Sequence, residues 1–115
     1  MTPDDYVALA MRTIPPGSSA ERMILNGALG LAGEAGEVAD YVKKHIFHNH
    51  PFDKDSITDE LGDILWYIAL FCYALDESLE SILKKNIAKL VSRYPNGFSS
   101  ERSINRGVEC STASS

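Results

Sequence analysis

The sequence predicts an all-α fold, a four-helix-type bundle, and three observations carry that expectation. Four segments repeat apolar residues at helical spacing, no stretch alternates apolar and polar residues long enough for a strand, and turn or capping residues bound each segment. At 115 residues, 44% hydrophobic and 23% charged, the chain fits one small globular domain. We place that domain at residues 1–106 and read the Ser/Thr-rich end, 107–115, as a disordered tail.

The first helix is short. Thr2 is placed to cap it, Pro3 occupies its first position, Asp4 and Asp5 lie near its positive end, and Pro15-Pro16-Gly17 stops the chain after Ile14. Ser18-x-x-Glu21 has the form of a capping box and predicts the start of the second helix. Its apolar stripe runs Ile24, Ala28, Leu31, Ala35, Val38, Val42, Ile46, a coiled-coil-like seam. His48-Asn49-His50-Pro51-Phe52-Asp53 breaks the pattern, and a third helix is expected from Asp55 or Ser56 with the stripe Ile57, Leu61, Ile64, Ile68, Phe71, Leu75. Leu65, Ala69 and Cys72 widen that stripe into a broad buried face, as befits a central helix. Asp76-Glu77-Ser78 precedes a fourth helix with the stripe Leu79, Ile82, Leu83, Asn86, Leu90, ended by Tyr94-Pro95-Asn96-Gly97. Broad apolar faces on so short a chain predict burial against further copies, as a homodimer or homotetramer.

Sixteen acids and eleven Lys and Arg give a net charge of −5, which argues against a nucleic-acid-binding surface. The charge is uneven: residues 1–83 hold fourteen acids and five bases, whereas residues 84–106 hold six bases and one acid. Cys72 and Cys110 form no CxxC pair, no secretory leader pattern opens the sequence, and the longest apolar run, Ile64 to Leu75, is twelve residues. Spanning a bilayer takes about 20. A soluble, reduced, cytoplasmic protein without membrane partners is expected.

Two acidic pairs stand out. Glu34 and Glu37 on the second helix and Glu60 and Asp63 on the third are each spaced i, i+3, which makes the members of a pair surface neighbours. Each pair sits beside its helix's apolar stripe, so antiparallel packing along the stripes brings all four carboxylates together. Any two carboxylates about 5 Å apart repel by roughly 3 kcal/mol at an effective dielectric near 20. A divalent cation removes that cost. All-oxygen ligation favours Mg²⁺, with Mn²⁺ as a substitute, over Zn²⁺. Di-iron carboxylate bundles require Glu-x-x-His, and here the i+3 position is Glu37 or Asp63. Gly30, Gly33 and Gly36 each cost about 1 kcal/mol relative to Ala inside a helix, a cost consistent with close approach of a neighbouring helix or a ligand.

The fourth helix supplies the complementary charge. Asn86 interrupts its apolar stripe, and Lys89 and Arg93 share that side. Together they offer donors to an anion while the carboxylates offer a metal, and a phosphate chain uses both.

At these residues the sequence resembles the MazG-like family of all-α nucleoside triphosphate pyrophosphohydrolases, whose metal signature is Glu-Glu-x-x-Glu followed by Glu-x-x-Asp. Gly33-Glu34-Ala35-Gly36-Glu37 is followed, after 22 residues, by Glu60-Leu61-Gly62-Asp63. Asn86-x-x-Lys89-Leu90-x-x-Arg93-Tyr94-Pro95 resembles the family's downstream segment. Gly33 stands where the family's opening Glu belongs, and Asp40, one turn beyond Glu37, is a substitute for that carboxylate. The resemblance implies Mg²⁺-dependent hydrolysis of a (deoxy)nucleoside triphosphate between the α- and β-phosphates. In that reading Glu34, Glu37, Glu60 and Asp63 are the catalytic metal ligands, and Asn86, Lys89 and Arg93 bind phosphate, with Lys43 as a further cation. Trp66 and Tyr67 serve either as core or as a stacking face for the base. The alternatives are a non-catalytic helical module for oligomerisation or partner binding, and a phosphoribosyl-ATP pyrophosphatase-like activity. His45, His48 and His50 lack a fourth ligand for structural zinc.

Overall fold

Four helix starts in the computed structural model, which describes residues 1–106, are set by side chains that accept the first free backbone N–H groups. In α1, Pro3–Ala10, the Thr2 hydroxyl accepts from Asp5 N at 3.0 Å while Asp5 accepts from Thr2 N at 2.9 Å, a complete capping box. A 3₁₀ turn, Met11–Thr13, follows. The start of α2, Ala20–His48, differs from expectation: its cap is Ser19, which accepts from Arg22 N at 3.2 Å. Ser18 is unavailable for the cap because its hydroxyl donates to the Pro15 carbonyl at 2.7 Å, closing the Pro-Pro-Gly turn in which Gly17 has φ +75°. At the other end Asn49 takes the left-handed conformation that terminates many helices.

The next helix, α3, Lys54–Ala74, starts slightly earlier than predicted, because the Asp53 carboxylate accepts from both Asp55 N and Ser56 N. Its hydrogen bonds to Ser56 and the Asp55 amide hold the Asp53 carboxyl below its ordinary range. Asp76 adopts φ +54° before α4, Leu79–Arg93. A short helix that the periodicity did not signal, α5, Ser100–Ile104, is capped by Ser99. The expected disordered tail, 107–115, lies outside the described residues, and all the elements described are helical.

The described chain forms two compact units, Met1–Leu79 and one beginning at Glu80. In the first, α2 and α3 pair along their lengths and α1 packs on α3. Ala10, Met11, Met23, Ala69 and Leu70 form its core, with Tyr6, Val7, Ile14, Trp66 and Tyr67 packed around them. Trp66 Nε1 donates to Thr13 Oγ1 at 2.8 Å, and Thr13 donates to the Ala10 carbonyl, so the 3₁₀ turn is tied to α3. Cys72 is the packed thiol its apolar setting implies, with its pKa pushed up by burial and then by the charges of Asp4 and Glu77.

The apolar stripe of α2 is only partly covered: Leu31 and Val38 are half-buried, but Ile24, Val42 and Ile46 are 37%, 41% and 62% exposed, whereas Met23 and Gly27 are buried and Gly30, Glu34 and Tyr41 are half-buried. The face of α2 that meets α3 is the one with holes for rings. A Cβ at Gly27 would lie 2.9 Å from Phe71 Cε2, and one at Gly30 would overlap the Tyr67 ring. Close approach is therefore the reason for Gly30, and for Gly27, which the sequence reading passed over. It is not the reason for Gly33 or Gly36, which have no neighbouring atom within 4 Å of a Cβ position.

In the unit beginning at Glu80, residues 80–92 of α4 are exposed, Asn86 among them. Arg102 of α5 donates to the Arg93 and Ser92 carbonyls at 3.3 and 3.5 Å, supplying partners to the carbonyl end of α4.

Candidate metal centre

Because the ring-filled seam runs through Gly27 and Gly30, the next residue on that face, Glu34, is carried into the α2–α3 interface. Glu37 follows one turn later, and Glu60 of α3 faces them. Oxygens of Glu34, Glu37 and Glu60 all lie within 4.8 Å of one another. Glu34 Oε2 and Glu60 Oε2 are both buried with no hydrogen-bond partner. Two buried carboxylate oxygens without donors are costly unless a proton or a cation lies between them. Oxygens bound to one cation at about 2.1–2.4 Å lie up to about 4.2–4.8 Å apart, so all three residues can ligate the same ion.

The electrostatics agree with this crowding. Glu60 is pushed above the ordinary carboxylate range first by its close side-chain contact with Glu34, then by burial and the Glu34 charge, while its contact with Glu37 opposes the shift. Glu37 is raised mainly by the Glu60 charge and its contact with Glu60, with burial and Asp63 adding to it. Asp63 is not within the three-residue cluster, but its charge reaches Glu37, Glu60 and Tyr6. It lines a cavity of about 360 Å³ with Glu34, Trp66 and Tyr67. Trp66 and Tyr67 meet edge to face at 5.2 Å and both pack against the core, so each ring has a structural role while also bordering the acidic site.

Asp40 lies outside the three-carboxylate cluster but lines a cavity with Glu37 and Glu60. It is bound to Lys43 at 3.1 Å and Lys44 at 2.9 Å, and those two contacts hold its pKa below the ordinary range. The histidines gather no metal site among the described residues: His45 Nδ1 is 2.8 Å from the His50 carbonyl and its ring meets Phe52 edge to face. Lys89 is exposed and Arg93 half-buried, both in the unit beginning at Glu80. No helix among the described residues is long and apolar enough to cross a membrane.

The two longest helices of this all-α chain thus converge on three carboxylates that could hold a metal ion. Residues 24–98 match the model of the MazG nucleotide pyrophosphohydrolase domain, and the chain belongs to that family. It is 38% identical over 73 residues to the Gene 37 protein of Mycobacterium phage L5, a match covering 60% of this chain and 64% of the phage protein. The chain thus spans less than two thirds of that relative's length. No solved structure matches it.

Proposed function

We propose that the chain is a Mg²⁺-dependent nucleoside triphosphate pyrophosphohydrolase, cleaving a (deoxy)nucleoside triphosphate between the α- and β-phosphates in nucleotide-pool control or house-cleaning. The observation that carries the reading is the pair of buried, unpartnered oxygens on Glu34 and Glu60, beside Glu37, inside a family that acts on nucleotides. Glu34, Glu37 and Glu60, with Asp63 beside them, would hold the cation, with Mn²⁺ as a substitute. The ion's chemistry there is to neutralise charge on the phosphates and lower the pKa of water. A water oxygen bonds to the α-phosphorus, the bond from that phosphorus to the α–β bridging oxygen breaks, and pyrophosphate departs with the electron pair. The water's proton goes to a carboxylate of the site or to solvent. Asn86, Lys89 and Arg93 are proposed phosphate donors, and Trp66 and Tyr67 the proposed surface for the base.

We further propose a cytoplasmic homo-oligomer, a dimer or tetramer. The exposed Ile24, Val42 and Ile46 stripe on α2 and the exposed Ile82, Leu83, Ile87 and Leu90 on α4 support it.

The test is product analysis in ¹⁸O-labelled water. Label in the nucleoside monophosphate, with unlabelled pyrophosphate, is expected. Nucleoside diphosphate and orthophosphate as products would contradict the proposed bond cleavage.

A further inference from the structure

Trp66 and Tyr67 wall the cavity of about 360 Å³ that they share with Glu34 and Asp63, and each ring is fixed by a different neighbour. Tyr67 lies over Gly30 of α2, where a Cβ would overlap its ring. Trp66 is held by the 3₁₀ turn: its Nε1 donates to Thr13 Oγ1 at 2.8 Å, and the Thr13 hydroxyl donates to the Ala10 carbonyl at 2.7 Å. An indole nitrogen only donates and a hydroxyl carries one proton, so the two bonds fix each other's direction. The far end of this relay is firm, because Ala10 and Met11 belong to the core. The two rings stand at 88° to each other with centroids 5.2 Å apart. A planar group stacked on one of them meets the other edge-on, an arrangement that aromatic rings favour. The Asp63 charge also reaches Tyr6 of α1, so the N-terminal segment borders the acidic site at a second point. Thr13 precedes residues 24–98, the part that matches the family model, and the tie to Trp66 is therefore this chain's own feature.

We infer that Thr13 is a positioning residue for the substrate's base, holding the Trp66 ring at the angle to Tyr67 that accepts a planar heterocycle. This role rests on the proposed nucleotide cleavage and extends it to a segment outside the carboxylate-bearing helices. With its N–H spent on Thr13, Trp66 meets the base through its ring alone. Loss of the Thr13 hydroxyl thus frees the ring to turn and removes no direct contact to the ligand.

Trp66 is the single tryptophan of the chain, so its fluorescence reports this ring. The test titrates nucleoside monophosphates with Mg²⁺ into the full chain as wild type, the isosteric Thr13→Val and the hydroxyl-retaining Thr13→Ser. Time-resolved anisotropy and steady-state kinetics accompany the titration. At least one monophosphate is expected to change wild-type emission. In Thr13→Val the anisotropy should gain a nanosecond decay, and that monophosphate should bind about threefold to tenfold more weakly. KM for the corresponding triphosphate should rise by the same factor with kcat within about twofold, and Thr13→Ser should stay within about twofold of wild type throughout. Wild-type emission that responds to no monophosphate would overturn the role, as would wild-type anisotropy and affinity in Thr13→Val, whatever its melting temperature. A wild type that cleaves triphosphates beside such an unaltered Thr13→Val overturns only this inference. Thr13-dependent monophosphate binding by a chain that cleaves no triphosphate overturns only the activity.

Discussion

Gly27 and Gly30 in the first half of α2, and Gly33 and Gly36 a turn further on, are the same residue at the same spacing in one helix, put to opposite uses. The first pair is covered by the rings of Phe71 and Tyr67; the second faces a cavity beside Glu37 and Glu60. Glycine in a helix interior is destabilising in both places, and only the first pair is explained by neighbouring atoms that need the space. Rings filling the first two holes bring α3 close, and that closeness delivers Glu34 and Glu60 to each other at the point where the second pair begins. Packing in one half of the helix thus creates the charge problem that defines the other half.

The largest break in this comparison comes from Gly30→Ala. A methyl there overlaps the Tyr67 ring, and overpacking of about 1–3 kcal/mol against a helix-propensity gain of about 1 kcal/mol leaves an expected net loss of up to about 2 kcal/mol in denaturant unfolding. Gly27→Ala, with a 2.9 Å approach to the edge of Phe71, is expected to cost less. Next in size is the effect of cation and pH. Glu37 and Glu60 have folded pKa values raised above the unfolded value, so their favourable contribution is present below that value and is lost as pH rises through the raised ones. The metal-free chain is therefore least helped by this cluster at neutral pH, where a cation has most to offset. Thermal melts should show a larger rise on adding Mg²⁺ at pH 7 than at pH 5, and an equal rise at both would break the link between crowding and metal. The smallest effect is Gly33→Ala, expected to stabilise by up to about 1 kcal/mol, because the added methyl gains helix propensity and meets nothing within 4 Å.

Much of this was legible in the sequence, for identifiable reasons. The Thr2 cap, the Pro-Pro-Gly stop, the break after His48 and the i, i+3 carboxylate pairs are local signals, readable wherever the backbone obeys its own side chains. The face of α2 that meets α3 was legible only in part. Periodicity ranks residues by apolarity and marks Leu31 and Val38, which are half-buried, together with Ile24, Val42 and Ile46, which are exposed, while the closer fit comes from glycine holes receiving the Tyr67 and Phe71 rings, a property of two helices together. The Ser19 cap was missed because Ser18 is claimed by the preceding turn, and α5 because five residues carry too little periodicity to register. Spacing alone offers Asp40 as a spare ligand, and only the structure shows that its carboxylate also meets Lys43 and Lys44.

The central claim is that the carboxylates brought together at the α2–α3 seam bind the cation that makes this chain a hydrolase. Pyrophosphate release from a panel of nucleoside triphosphates, followed as Mg²⁺ is titrated into wild type and Glu60→Gln, tests it most directly. The account predicts release from at least one triphosphate that saturates with Mg²⁺, stops with chelator and falls at least about 100-fold in Glu60→Gln, as expected when a cation that stabilises developing charge is lost. No release from any triphosphate, or release indifferent to chelator and to Glu60→Gln, would contradict it.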